Sequence, residues 1–275
     1  MRIHHLSCGT FCPRLRRFLY GSGGVLARAE MPCHCLLVET DAHGLVLVDT
    51  GLGIQEMRNP VERIGAARYV MAPVLDESLT AIRQVEALGF RREDVRHIVL
   101  THLDFDHAGG LGDFPEAKVH LLAAEKNAAM APATRLEKNR YKEFQWDHDP
   151  LWRPYEPTGE PWRGFAAVRE LEDLPPEILM FPLPGHTRGH AGVAIQDGDE
   201  WLVHAGDSYF YRGEMEQPLR TTRGIDIYQR MVAVDWNQRL ENLERLRALR
   251  HGHDDVQVFC AHDLDELRAL QSLAP

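Results

Sequence analysis

Positive charge is in short supply in this chain. Against 41 aspartates and glutamates stand 31 lysines and arginines in 275 residues, a formal net charge of −10. No broad basic surface can form to displace counterions from a phosphate backbone, so a nucleic-acid partner is not expected. An apolar run of roughly 20 residues, the length that spans a bilayer, is also missing, and no membrane partner is expected. The opening Met1-Arg2-Ile3-His4-His5 leads into polar sequence, not into the apolar core of a secretion signal. Cysteine is sparse and odd in number: Cys8, Cys12, Cys33, Cys35 and Cys260. The spacing of the first four fits a zinc ribbon poorly, and a chain this long needs no disulfide staples. Free thiols in a reduced, cytoplasmic setting are therefore expected, with Cys260 buried in a strand.

What is present suffices for a large core. Hydrophobic residues make up 44% of the chain, and one domain over residues 1–275 is the simplest organisation. Strands are expected at Ile3–Leu6, Cys33–Thr40 and Leu45–Asp49, the last two joined as a hairpin through Asp41-Ala42-His43-Gly44. Apolar spacing at Leu79, Ile82, Val85 and Leu88 predicts a helix over Ser78–Leu88, ended by Gly89. Further strands are expected at His97–Thr101, Lys118–Leu122, Leu179–Pro184, Gly192–Gln196, Trp201–His204 and Val256–Cys260. Helices are expected over Gln229–Arg250, with Leu240, Leu243, Leu246 and Leu249 as its buried stripe, and over Leu264–Leu273. Strands followed by a helix, twice over, predict an α/β sandwich of two sheets flanked by helices. Residues 123–178, rich in tryptophan, tyrosine and proline, read as an aromatic-rich insertion, helical near Ala123–Met130.

Chemistry is concentrated in Thr101-His102-Leu103-Asp104-Phe105-Asp106-His107-Ala108-Gly109-Gly110. Four potential ligands in six residues cannot all point one way from a strand or a helix, but a loop at a strand's end can converge them. Imidazole and carboxylate together suit zinc, iron or manganese. Three more segments end apolar strands with a potential ligand: Pro184-Gly185-His186-Thr187-Arg188-Gly189-His190, Ala205-Gly206-Asp207-Ser208 and Phe259-Cys260-Ala261-His262-Asp263.

This set resembles the metallo-β-lactamase superfamily, whose signature His-x-His-x-Asp-His is followed by His, Asp and His. Within it, His102-Leu103-x-Phe105-Asp106-His107-Ala108-Gly109-Gly110 is most similar to the N-acyl-homoserine lactone lactonases. The resemblance runs from Asp49-Thr50-Gly51 to His262 and implies an αββα sandwich of two mixed sheets. It implies one metal held by His102, Asp104 and His186, a second by Asp106, His107 and His262, and Asp207 bridging them. Asp49 and His190 would orient ligands, and Phe105 would form an apolar wall. The implied cofactors are two divalent ions, zinc foremost. The sequence differs from the family at Asp104, which stands where the signature has histidine. That change adds a negative charge and moves metal preference toward manganese or iron.

The implied activity is a metal-dependent hydrolase that opens a lactone or small carboxylic ester through a hydroxide held between the metals, with quorum quenching as its setting. Asp106 and Asp207 carry catalytic roles. Lactone-opening members place a substrate-binding tyrosine shortly after the bridging aspartate. Here Tyr209 and Tyr211 flank Phe210 and are the candidates. The alternatives are a thioester, organophosphate or β-lactam hydrolase, or a di-iron redox protein. The expected partner is a small-molecule substrate, and a homodimer is admitted.

Overall fold

A computed structural model describes residues 1–167 and 171–273. Residues 168–170, inside the aromatic-rich stretch, and 274–275, at the end of the expected single domain, lie outside the described residues.

Among the described residues ten strands form two sheets. The first runs in spatial order β1 (Arg2–Phe11), β2 (Met31–Glu39), β3 (Leu45–Val48), β4 (Val95–Val99), β5 (Lys118–Leu122) and β6 (Leu151–Tyr155). The second is ordered β10 (Val256–Phe259), β9 (Glu200–His204), β8 (Ala191–Asp197) and β7 (Ile178–Pro182). Both are mixed. β1, β2 and β3 pair antiparallel, while β3 to β6 pair parallel. In the second sheet only β9 and β10 are parallel neighbours.

Side-chain alternation explains the layering, because successive residues of a strand face opposite sides. Leu36 and Val38 of β2, Val46 and Val48 of β3, and Ile178 and Met180 of β7 share the core between the sheets. Their neighbours Leu37, Leu45 and Leu47 turn outward against the helix Ala81–Ala87. On the far side, Leu179, Phe181 and Val203 pack under the helix Trp236–Gly252. Strands buried on both faces read as continuous apolar runs, as Leu45-Val46-Leu47-Val48 does. The chain therefore forms two mixed sheets packed face to face and flanked by helices, the sandwich expected from the sequence.

Two helical expectations change. The helix expected over Gln229–Arg250 is two helices, Arg223–Val232 and Trp236–Gly252. At the break, the Val234 and Asp235 amides donate to the carbonyls of His186 (3.1 Å) and Gly185 (2.9 Å). The Asp235 carboxylate caps the second helix through the Gln238 amide at 3.0 Å. Leu240 is exposed, so the buried stripe is Leu243, Leu246 and Leu249 alone. The helix expected from Ser78 begins at Ala81, because Thr80 is extended and Glu77–Leu79 forms a separate turn capped by Asp76. Within residues 123–178, Leu151–Tyr155 pairs in parallel with β5, a strand whose charge and proline gave no apolar signal. Among the described residues no helix is long and apolar enough to cross a membrane. All five cysteines are unpaired thiols, and only Cys12 is not fully buried.

Candidate metal centre

β3 and β4 run parallel, and so do β7, β9 and β10, so both sheets send their C-terminal ends to the same edge of the sandwich. Each of these strands ends in a loop that turns a polar side chain inward. Asp49 follows β3 with φ of 57°, a left-handed conformation that strains a non-glycine residue and is often found at functional sites. Gly51, at φ 63°, passes so close to β1 that a Cβ there would lie 2.0 Å from the Cys8 carbonyl oxygen. Gly206, at φ 51°, does the same beside His190, where a Cβ would stand 2.5 Å from Nε2.

Two groups of ligand-bearing side chains face each other at this edge: His102, Asp104, His186 and Asp207, and Asp106, His107 and His262. Asp207 lies between them. Its Oδ2 is 3.3 Å from His186 Nε2 and 3.8 Å from His102 Nε2. Its Oδ1 is 3.2 Å from His107 Nε2 and 3.1 Å from His262 Nε2. Asp104 Oδ2 completes the first group, 3.1 Å from His186 Nε2 and 3.6 Å from His102 Nε2. Asp106 Oδ2 completes the second, 3.6 Å from His262 Nε2.

Three of the four imidazoles, those of His102, His107 and His262, are oriented from behind. His107 Nδ1 donates to Asp49 Oδ2 at 2.8 Å, and His262 Nδ1 donates to the Pro32 carbonyl at 2.8 Å. Thr101 Oγ1 donates to Asp49 Oδ2 (2.8 Å), so it accepts from His102 Nδ1 (2.9 Å). With Nδ1 engaged as donor, each of these three rings turns Nε2 into the cluster, the orientation that metal ligation needs. His190 points elsewhere. Its Nδ1 donates to the Leu183 carbonyl (3.1 Å) and its Nε2 accepts the Asp207 amide (2.9 Å), which aims the shared aspartate.

Among the described residues, His102 Nε2, His107 Nε2 and Asp207 Oδ1 are buried with no hydrogen-bond partner. Buried polar atoms are rarely left unpaired, and six or more nitrogen and oxygen donors converging on them suit divalent cations. The charge balance agrees. Burial works against an ionised Asp207, yet His262, His107 and His186 hold its carboxyl well below the usual range. Burial likewise works against a charged His107, but Asp207, Asp106 and Asp49 outweigh it and push its pKa well up. Burial and His107 push His102 down to about 4. These carboxylates call for positive charge at their centre, and the residues present fit a pair of metal ions.

The two tyrosines expected at the site are not there. Tyr209 turns into the core under the second sheet, where its hydroxyl donates to Glu266 at 3.0 Å. Tyr211 packs between the Tyr20 ring (6.1 Å) and the Arg212 guanidinium (5.4 Å). The phase of the turn after Asp207 puts Phe210 inward instead, stacked on His262 with ring centroids 5.0 Å apart. Tyr228, from the helix Arg223–Val232, meets Phe210 edge-on at 5.5 Å. Burial, then Asp106, Asp207 and Asp104, raises its phenol, which is accordingly protonated.

Two further supports come from residues 123–178. Glu125 is fully buried in the helix Ala123–Met130 and ties the two ligand loops together. Its Oε1 accepts from the Leu103 amide (2.9 Å) and Tyr141 hydroxyl (3.0 Å), and its Oε2 from Thr187 Oγ1 (2.6 Å) and the Gly189 amide (3.1 Å). Arg140, buried at the end of the helix Arg135–Arg140, brings Nε to 3.2 Å from Asp104 Oδ1. The only sequence signal for either was a charge in an otherwise unremarkable helical stretch.

Comparison with known proteins points the same way. The sequence model of the metallo-beta-lactamase superfamily matches residues 28–253. A "probable metallo-hydrolase" of Mycobacterium tuberculosis is 43% identical over 266 residues, 96% of this chain and 81% of that protein. An N-acyl homoserine lactonase of Bacillus cereus is 27% identical over 239 residues, 86% of this chain and 83% of that one. A solved N-acyl homoserine lactone hydrolase, with the product N-hexanoyl-L-homoserine bound at its catalytic metal centre, superposes with a TM-score of 0.72. That match has 19% identity and covers 98% of this chain and 95% of that one.

Proposed function

This chain belongs to the metallo-β-lactamase superfamily, and on that premise we propose that it is a dinuclear metallohydrolase opening a lactone or another small carboxylic ester, with N-acyl-homoserine lactones foremost. The observation that carries the reading is Asp207, which offers one carboxylate oxygen to each ligand group. His102, Asp104 and His186 would hold one divalent ion and Asp106, His107 and His262 the other. Zinc is the first expectation, and the Asp104 carboxylate favours manganese or iron as well. Bound there, such ions supply Lewis acidity and a water that deprotonates near neutral pH.

The surrounding residues set the substrate. An apolar cavity of about 550 Å³ opens beside His262 and Phe210 and is walled by Phe11, Met31, Met71 and Tyr228. Its rim carries the exposed side chains of Phe18, Tyr69, Val70, Ile227 and Met231. This is the size and polarity of a site for an apolar ligand body with its reactive group at the polar end, which suits an acylated lactone. Phe210 covers one face of His262 and excludes water there. Asp106, beside the second ion, would orient the attacking water and pass its proton toward the departing alkoxide. Tyr228, on the cavity wall beside Phe210, would supply a phenol to donate a hydrogen bond to the substrate carbonyl oxygen.

Tyr228→Phe is expected to lower kcat/KM by roughly 100-fold, the usual cost of one such donor, with metal content unchanged. Tyr211→Phe should leave kcat/KM within a few fold, and the reverse ranking would remove Tyr228 from the site.

The reading itself is tested by following acid release from N-acyl-homoserine lactones and simple lactones, with protein loaded separately with zinc, manganese, cobalt or iron. Ring opening abolished by a chelator supports it. Silence across that panel with two metals bound would replace it with thioester or phosphoester hydrolysis or di-iron redox chemistry.

A further inference from the structure

The carboxylate at position 104 does not stand alone in the cluster. Its two oxygens have different surroundings. Oδ2 faces the imidazoles, 3.1 Å from His186 Nε2 and 3.6 Å from His102 Nε2. Oδ1 faces the Arg140 guanidinium, 3.2 Å from Nε, in an ion pair without hydrogen-bond alignment. The Arg140 side chain is 5% exposed, and its other nitrogens are committed. One Nη donates to the His186 carbonyl at 2.7 Å and the other to the Val232 carbonyl. A guanidinium held at three points cannot swing out to solvent, so its charge is a fixed part of the site.

We infer that Arg140 is the positioning residue for Asp104: it cancels the negative charge that this carboxylate adds to the metal centre and occupies Oδ1, leaving Oδ2 as a one-oxygen ligand. The inference rests on the proposed reading that His102, Asp104, His186 and Asp207 hold a metal ion. The local balance is simple. Asp104 and Arg140 together contribute no net charge, the same as a neutral imidazole beside an apolar residue. Restoring histidine at position 104 alone would leave a buried guanidinium next to a divalent cation, with nothing between to offset their repulsion. The residue that the family signature prescribes is therefore expected to harm this protein unless Arg140 is removed with it.

The test measures metal content and chelator competition on the full chain, so it does not depend on knowing the substrate. Wild type should hold two zinc ions per chain. Asp104→His is expected to lose one of them, with binding at that position at least tenfold weaker. Asp104→His combined with Arg140→Met should recover the second ion. A single variant that binds both ions as tightly as wild type overturns the inference and leaves the metallohydrolase reading standing. A double variant that binds more weakly than the single one overturns it too, since Arg140 would then serve only to hold the His186 and Val232 carbonyls. Wild-type protein that takes up no divalent metal would overturn both readings together. Arg140→Met alone adds a spectroscopic readout. With Oδ1 released to the metal, the visible absorption of the cobalt(II)-loaded protein should weaken as its coordination number rises, and an unchanged spectrum would count against the one-oxygen arrangement.

Discussion

Asp207→Ala is expected to cost the protein both metals and nearly all turnover. Among the described residues no other side chain faces both ligand groups as Asp207 does, with Oδ2 toward His102 and His186 and Oδ1 toward His107 and His262. Replacing a residue that merely orients a ligand typically lowers metal affinity or activity by about 10- to 100-fold. Loss of a ligand shared by two ions should exceed the upper end of that range. The check is metal analysis of the purified variant together with kcat/KM on whichever lactone the wild type opens. The fold should survive, because the Asp207 amide, not its carboxylate, makes the hydrogen bond to His190. Two metals retained per chain would mean that the ligand groups are organised by something other than Asp207.

Glu125→Ala should produce the largest loss of stability among changes that touch no proposed ligand. Four donors converge on this carboxylate from the loop after β4, the loop after β7 and Tyr141. Alanine leaves the Leu103 and Gly189 amides buried without an acceptor, at about 1–3 kcal/mol each, besides the cavity. A total of roughly 3–5 kcal/mol corresponds to a Tm lowered by about 10 °C in a chain of this size. Metal affinity should fall as well, because the same carboxylate joins the backbone beside His102 to the backbone beside His186. Thermal unfolding of metal-free protein separates the two effects. A Tm within two or three degrees of wild type would show that solvent or neighbouring groups satisfy those amides.

Much of this was legible in the sequence, for local reasons. A strand buried on both faces cannot hide its apolar run, so β2, β3, β4, β8 and β9 announce themselves in order, and the two-sheet sandwich follows. The run from His102 to His107 is equally local: a strand end packed with imidazoles and carboxylates has few uses other than gathering them at one point. What could not be read depends on neighbours distant in sequence. Leu151–Tyr155 is a strand only because β5 offers it an edge. The break at Ala233–Asp235 carries no proline or glycine, and it exists because the His186 loop accepts hydrogen bonds there. Tyr209 was misplaced by one residue of phase, for a turn that sends Phe210 to His262 sends its neighbour into the core. Arg140, Glu125 and Tyr228 lie on helices of ordinary composition, and nothing within ten residues of any of them shows what it faces.

The walls of the apolar cavity come mainly from three stretches of chain: residues 11–31, residues 69–72 and the helix Arg223–Val232. None of these contributes a side chain to either ligand group. Substitutions there can exchange one substrate body for another while the reactive centre, spread over the ends of β4, β7, β9 and β10, stays as it is. Such a layout separates what is recognised from what is done to it. Descendants of a chain like this one are free to wander in diet while their chemistry stands still.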